Sequence, residues 1–167
     1  TQGYSSAASD VYKRQIQCTI YFRYYLNQAL KVSGLGDQFL DNLQIWRDQM
    51  ALGLTTWAEM PEPSRSDCHA WGASPNIEFY RILLGIDSDA PGFRKIRIAP
   101  SLGKLKEVSG TIPHPLGSVT AAYKLDERGE GTARLVLPEG TTGIFIWDGK
   151  EIPLKPGEQV ISLSSRH

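Results

Sequence analysis

Hydrophobic positions in the first part of the chain recur at helical spacing. From Ile16 to Leu30 an apolar residue occurs every three or four positions, as the buried stripe of a helix requires, and Ser33-Gly34 predicts its end. A second helix is predicted between a cap at Asp37 and a stop at Gly53. The expected stripes are Ile16, Cys18, Ile20, Phe22, Tyr24, Leu26 and Ala29 in the first helix, and Phe39, Leu40, Leu43, Trp46 and Met50 in the second.

The stretch from Thr55 to Pro75 lacks periodicity and contains three prolines, which predicts a long loop. Loops of this length inside a compact domain are often functional. A third helix is predicted from Ser74 to Leu84, with Pro75 in its first turn and Gly85 at its end. Its expected inward face comprises Ile77, Tyr80 and Leu84.

After Pro91-Gly92 the pattern alternates with period two, which is typical of half-buried strands. Strands are predicted around residues 96–98, 105–112, 119–125, 133–137, 143–147 and 159–163, with Asp148-Gly149 as a hairpin turn. All ten prolines lie at or after Pro61, which supports a helical first part and a strand-rich second part. The prediction is an α+β chain whose helices precede a small antiparallel, jelly-roll-like β-sandwich.

Three segments follow from this division. Residues 16–91 are predicted to be the helical part and residues 92–164 the β-sandwich domain. Residues 1–15 resemble adapter-derived sequence, so we expect a non-native or disordered tail there. They take no part in the fold prediction.

Composition excludes two classes of partner. The 18 basic and 18 acidic residues give zero formal net charge, so no basic surface for nucleic acid or anionic lipid is expected. No apolar run approaches the roughly 20 residues that span a bilayer. Two cysteines are too few for a disulfide framework or a cysteine-rich metal site.

The loop concentrates residue types that sugar hydrolysis uses. Between Thr55 and Gly72 it contains carboxylates, His69, Trp57 and Trp71. A carboxylate can activate water or protonate a leaving group, and aromatic faces suit the C–H side of a pyranose. Each residue also has a structural alternative: Glu59 as a cap or ion-pair partner, and the imidazole and indoles as packing groups.

Other chemistry at this loop is disfavoured. His69 could join Asp67 and Glu59 around a metal, but a catalytic zinc site usually needs three protein ligands, and His114 and His167 lie elsewhere. No metal site is therefore predicted. A Cys68–His69 nucleophilic pair is disfavoured because adjacent side chains point apart.

Three further aromatic assignments concern packing. The run Tyr21-Phe22-Arg23-Tyr24-Tyr25 is interpreted as a buried helix face rather than a stacking platform, and Trp46 and Trp147 are assigned to the core.

An ordered series of short motifs gives the chain a family resemblance. Thr55-Thr56-Trp57-Ala58-Glu59, Ser66-x-x-His69-Ala70-Trp71, Gly85-Ile86, Pro91-Gly92-Phe93, Ile98-Ala99-Pro100, Val108-x-Gly110 and Pro115-x-Gly117 follow one another. In this order they resemble the C-terminal part of bacterial α-L-rhamnosidases of glycoside hydrolase family 78. The resemblance covers roughly Ile16 to Leu163.

The resemblance implies the last helices of an (α/α)₆ barrel over Ile16–Asp89, followed by the sandwich. The remainder of that barrel would be the partner of these helices. It also implies an inverting glycosidase that releases terminal α-L-rhamnose from glycosides or polysaccharides without a cofactor. Glu59 matches the general base, His69 matches a histidine that contacts sugar hydroxyls, and Trp57 and Trp71 would line the sugar pocket. The family's general acid lies upstream, and no residue here matches it, so we expect no turnover by this chain alone.

Two alternatives remain open. The sandwich could be a carbohydrate-binding or structural module with a helical buttress, for which Tyr123, Phe145 and Trp147 are the available aromatics. The chain could also belong to a different hydrolase or lyase built on the same type of barrel.

Overall fold

The computed structural model describes residues 18–164 as helices followed by two β-sheets. The predicted α+β class is confirmed. The helical part contains α1 (Ile20–Val32), α2 (Gln44–Ala51) and α3 (Pro75–Glu78), which continues into a π-helical turn at Phe79–Leu83. Short 3₁₀ turns lie at Gly36–Gln38, Asp41–Leu43, Ala70–Ala73 and Pro91–Phe93. The expectations for residues 1–15 and Ile16 fall outside the described residues.

Helix α1 begins at a Thr19 cap, where the hydroxyl accepts a 3.3 Å hydrogen bond from the N–H of Phe22. Its buried side chains are Ile20, Asn27 and Leu30. The predicted stripe is therefore wrong in part, because Phe22 and Ala29 are exposed. The helix carries apolar residues on more than one side, so spacing alone does not select the buried face. That face is selected by the cluster in which Ile20 packs with Phe39, Leu43, Trp46 and Ile82.

The aromatic run of α1 also differs from its prediction. Tyr21, Phe22 and Tyr25 are exposed, and Tyr24 is only partly buried. The interpretation of this run as a buried helix face is wrong. The described residues cover one side of α1 and leave these rings on another.

The predicted second helix is divided into two 3₁₀ turns and the shorter α2. Asp37 does not cap it, because its carboxylate accepts a 2.9 Å hydrogen bond from the N–H of Gly103. Phe39, Leu43 and Trp46 are buried as predicted, and Leu40 packs against them in part. Gly53, with φ of +83°, follows the helix as its predicted stop.

One inward position of α2 is polar. Met50 is exposed, contrary to prediction, and the neighbouring Gln49 is buried instead. The side-chain oxygen of Gln49 accepts a 2.9 Å hydrogen bond from the N–H of Ala58. This hydrogen bond attaches the long loop to α2. Hydrophobic periodicity does not predict it, because Gln49 is polar.

Helix α3 carries Pro75 in its first turn, as predicted. Ile77 and Tyr80 are exposed and Leu84 is buried, so the predicted face is correct at one position of three. The π-helical turn shifts the phase of the helix and directs Ile82 and Leu83 inward. Gly85 ends it with φ of +74°, where an added Cβ would lie 2.2 Å from the backbone carbon of Ala99.

Eight strands form two four-stranded sheets in the described part of the chain. The first sheet has the order β1-β2-β6-β7 and the second β3-β4-β5-β8. The strands are β1 (Ile86–Ser88), β2 (Lys95–Ile98), β3 (Glu107–His114), β4 (Gly117–Leu125), β5 (Gly131–Leu137), β6 (Thr142–Trp147), β7 (Lys150–Leu154) and β8 (Gly157–Leu163). β1 and β7 were not predicted. β2 and β6 pair in parallel, which corrects the prediction of a wholly antiparallel sandwich.

The two sheets share one core. Tyr123 of the second sheet lies against Phe145 of the first, with ring centroids 6.4 Å apart and planes inclined by 20°. Trp147 stacks beyond Phe145, and Asp148-Gly149 forms the predicted turn with φ of +49° and +70°. The core assignments of Trp46 and Trp147 are confirmed.

The first strand precedes the predicted domain boundary at residues 91–92. β1 pairs with β2 in the register Ile86 to Ile98, and Leu84 joins the sandwich core. The boundary itself stays a prediction.

Across residues 18–164, no helix combines the length and apolar character needed to cross a membrane.

Candidate functional site

The long loop folds back on itself as a two-stranded ribbon. The N–H of Glu59 donates to the carbonyl of Ser66, and the N–H of His69 donates to the carbonyl of Trp57, both at 2.8 Å. Three of the predicted site residues therefore lie on paired backbone segments. The pairing gives a local structure to a sequence stretch that carries no periodic signal.

Two hydrogen bonds fasten the ribbon to the helical core. The indole N–H of buried Trp46 donates to the carbonyl of Gly72 at 2.7 Å, and Gln49 accepts from Ala58. Gly72 is required by close packing, because an added Cβ would lie 2.7 Å from the Cβ of Trp57. The candidate site is thus built on the helical core through both halves of the loop.

The carboxylate of Glu59 is paired with a guanidinium. Arg65 donates from Nε to Oε2 at 3.2 Å and from its terminal nitrogen to Oε1, so both carboxylate oxygens are engaged. The Glu59 side chain is 9% exposed, whereas that of Arg65 is 74% exposed. A bidentate pair fixes the plane of the carboxylate. Arg65 is a site residue that the sequence did not indicate.

The rings of the site fall into two groups. The imidazole of His69 lies on the indole of Trp71, with centroids 4.0 Å apart and planes at 45°. Trp57 is partly buried and packs against the helical cluster that contains Trp46. The structure therefore brings His69 and Trp71 into ring contact, while the side-chain hydrogen bonds of Glu59 go to Arg65.

Tyr21 of α1 joins this group of rings. Its centroid lies 5.2 Å from that of Trp71, which links α1 to the 3₁₀ turn at Ala70–Ala73. The sequence analysis assigned Tyr21 to a buried helix face and therefore did not identify it as a neighbour of Trp71. Residues 50 positions apart make this contact, and no sequence pattern signals it.

A second set of charged residues lies at the junction of α1, the π-helical turn and β1. Lys31 and Arg81 both donate to Asp87, the latter at 3.0 Å from its terminal nitrogen. Burial opposes ionisation of Asp87, but these hydrogen bonds outweigh burial and hold its pKa below the ordinary value. Burial raises the pKa of the neighbouring Glu78, against the attraction of Arg81 and Lys31.

The described residues form neither a metal site nor an aromatic platform on the sandwich. Within residues 18–164 no group of three or more histidine, cysteine or acidic residues is placed to hold a metal ion. Tyr123, Phe145 and Trp147 are all buried, so they offer no aromatic platform for a carbohydrate on the sandwich surface.

A family model matches most of the strand-rich part of the chain. Residues 85–158 match the model described as the bacterial alpha-L-rhamnosidase C-terminal domain. This part of the chain is similar to the C-terminal domain of bacterial α-L-rhamnosidases. The family resemblance of the sequence motifs is thereby confirmed. A search of curated proteins gives no significant match.

Solved rhamnosidase structures extend the likeness beyond the C-terminal domain. The native enzyme from Aspergillus terreus is 20% identical, covers 84% of this chain and has a TM-score of 0.73. The family 78 rhamnosidase of Bacillus sp. GL1 is 23% identical, covers 86% of this chain and has a TM-score of 0.58. The Streptomyces avermitilis enzyme, solved with L-rhamnose, is 19% identical, covers 72% and has a TM-score of 0.55.

These structures are much longer than this chain. The chain spans 18% of the Aspergillus enzyme, 18% of the Bacillus enzyme and 14% of the Streptomyces enzyme. At these identities the comparison shows a shared fold. Because it covers more than four-fifths of this chain in two cases, the shared fold includes helices next to the C-terminal domain.

Proposed function

We propose that this chain is the C-terminal part of an inverting glycoside hydrolase that releases terminal α-L-rhamnose from glycosides or polysaccharides. The observation that carries the proposal is the match of residues 85–158 to the rhamnosidase C-terminal domain. The fold shared with longer rhamnosidases supports it. The ribbon that holds Glu59, Trp57 and His69 would then be the contribution of this chain to the active site.

Glu59 is proposed as the general base. Inversion requires one carboxylate to take a proton from water while an acid protonates the leaving oxygen on the opposite face of the sugar. Each oxygen of an ionised carboxylate can accept two hydrogen bonds. The bidentate contact with Arg65 therefore leaves each Glu59 oxygen able to accept one from water. Arg65 would set the direction in which that water is held.

The remaining predicted site residues are proposed to bind the sugar. His69 can exchange hydrogen bonds with hydroxyls through its imidazole, and Trp71 is sufficiently exposed to contact a pyranose face. Trp57 is packed against the helical core, so its role would be to form the floor of the pocket. This acid–base chemistry requires no cofactor.

The rest of the proposed (α/α)₆ barrel would pack against the helical part. Large apolar side chains of this part stand exposed, including Val32, Met50 and Leu52. Such side chains would be buried by neighbouring barrel helices. Because the general acid would lie in those helices, this chain alone would lose the roughly 10²–10⁴-fold that acid catalysis contributes.

The test compares this chain with the longer protein of which it is proposed to be a part. With an aryl α-L-rhamnoside, we expect release of rhamnose by the longer protein only, and NMR should detect the β-anomer first. Glu59→Gln should abolish release. Glu62→Gln is the matched control, because Glu62 is an exposed acid in the same loop. Turnover by this chain that depends on Glu59, or release of a different sugar by the longer protein, would overturn the proposal.

A further inference from the structure

A buried glutamine of α2 contacts the backbone next to the proposed base. Gln49 is 4% exposed, and its side-chain oxygen accepts a 2.9 Å hydrogen bond from the N–H of Ala58. Ala58 is 2% exposed and directly precedes Glu59 in the chain. The helix therefore grips the ribbon one residue from the carboxylate to which we assign the proton transfer.

The pairing of the ribbon cannot satisfy the N–H of Ala58. The carbonyl of Trp57 and the N–H of Glu59 both bond to the other segment of the ribbon, each at 2.8 Å. Along an extended segment, successive residues direct their backbone groups to opposite edges. The N–H of Ala58 therefore points away from the paired segment, and Gln49 supplies its acceptor on that side.

The other end of the Gln49 amide is unpaired. Its nitrogen is buried and makes no hydrogen bond to any described residue. A buried donor without a partner lowers stability, whereas an apolar side chain of similar volume would fill the same space without that cost. Packing alone therefore favours an apolar residue at this position. What the glutamine supplies instead is the acceptor for the Ala58 N–H.

We infer that Gln49 is a positioning residue for Glu59 and fixes the backbone that carries it. The inference rests on the proposed function, in which Glu59 is the general base. Arg65 engages the carboxylate, so the backbone and the side chain of Glu59 are held from two separate points. A reacting group has to be held within about 0.5 Å of its productive position. A displacement of about 1 Å can lower a rate about 10²-fold.

The test measures hydrolysis of an aryl α-L-rhamnoside by the longer protein. Gln49→Met keeps a similar volume and removes the acceptor for Ala58. We expect kcat to fall about 10- to 100-fold with KM little changed, because the base acts in the transition state. Gln49→Glu keeps an acceptor oxygen at the same reach and should recover most of kcat. Gln44→Met is the matched control, because Gln44 is an exposed glutamine of the same helix, and it should change neither constant.

Urea unfolding of the same variants in the 167-residue chain separates positioning from stability. In Gln49→Met the lost contact with Ala58 and the removal of the unpaired nitrogen act in opposite directions, so the unfolding midpoint should change little. Tyr123→Phe removes a buried hydrogen bond outside the ribbon, and it should lower the midpoint while kcat stays unchanged. A lower midpoint with unchanged kcat for Gln49→Met would show a purely structural role and overturn the inference.

Other outcomes distinguish this inference from the proposed function. If the longer protein releases rhamnose and Gln49→Met has the same kcat as the unmodified protein, the inference is wrong and the proposed function stands. Equal losses of kcat in Gln49→Met and Gln49→Glu would show that the acceptor is not what matters, and would also overturn the inference alone. Absence of rhamnose release by the unmodified longer protein would overturn the proposed function and the inference with it.

Discussion

The hydroxyl of Tyr123 donates a 2.8 Å hydrogen bond to the backbone carbonyl of Leu84. Tyr123 lies in β4, and Leu84 follows the π-helical turn of the helical part, and both are buried. Leu84 also packs closely over β3, since a Cβ added at Gly110 would lie 2.4 Å from the Leu84 side chain. These contacts join the helical part to the sandwich at Leu84, two residues before the start of β1.

Replacement of Tyr123 by phenylalanine should therefore weaken the whole fold. Tyr123→Phe keeps the ring but removes the donor to the Leu84 carbonyl, and an unsatisfied buried carbonyl costs about 1–3 kcal/mol. We expect the free energy of unfolding, measured with urea, to fall by about that amount. Tyr80→Phe removes an exposed hydroxyl and should change it little. An unchanged value for Tyr123→Phe would show that the bond contributes nothing to stability.

Substitution of Gly72 should disturb the candidate site locally. In Gly72→Ala the new Cβ would lie 2.7 Å from the Cβ of Trp57 and 3.2 Å from the carbonyl oxygen of Ala58. Overpacking of this kind costs about 1–3 kcal/mol. We expect that loss in urea unfolding, together with a change in the Trp57 resonance. Ala70→Ser, at an exposed position of the same 3₁₀ turn, should do neither, and a silent Gly72→Ala variant would contradict the packing argument.

Much of the fold follows from local signals in the sequence. Pro75 marks the first turn of α3, and Asp148-Gly149 supplies the positive φ angles of the β6–β7 turn. The alternation from Val119 to Leu125 identifies β4 because one face of that strand is buried. Each of these signals acts within a few residues, so the structure it produces can be predicted from the local sequence.

The predictions are wrong or incomplete where contacts between residues distant in the sequence determine the local structure. Ile77 and Tyr80 are exposed because a π-helical turn changes the phase of the helix, and three-residue β1 becomes a strand only by pairing with β2. The motif resemblance located Glu59, whose role remains a prediction. It could not reveal Arg65 as its partner, because that contact depends on the ribbon pairing.

Loss of the Asp87 carboxylate should destabilise the junction in a pH-dependent way. Asp87→Asn removes the acceptor charge shared by Lys31 and Arg81, and we expect a loss of about 1–3 kcal/mol at pH 7 because these groups are only partly exposed. The pKa of Asp87 is lowered in the folded state. Its contribution is therefore present above the ordinary carboxyl pKa and is lost as the pH falls through the folded value.

Urea unfolding over a range of pH tests this. The difference between Asp87→Asn and the unmodified chain should shrink in acid. Asp89→Asn is the matched control, because Asp89 pairs with the more exposed Lys95 and should cost at most about 1 kcal/mol. Equal losses for the two variants at pH 7 would show that the junction pair is no stronger than a surface pair.

Glu78 should show the opposite dependence on pH. Its side chain is fully buried, one oxygen accepts from Gln28, and the other has no partner among the described residues. Burial raises the pKa of Glu78, so its favourable contribution is complete below the ordinary carboxyl pKa and is lost as the pH rises through the folded value. As the pH rises above the ordinary carboxyl pKa, the free energy of unfolding should therefore shift in favour of Glu78→Gln over the unmodified chain. Glu127→Gln, at a side chain that is 94% exposed, should stay within about 0.5 kcal/mol of the unmodified chain. The absence of a shift would mean that Lys31 and Arg81 compensate fully for burial of the charge, and a shift in favour of the unmodified chain would mean that they outweigh it.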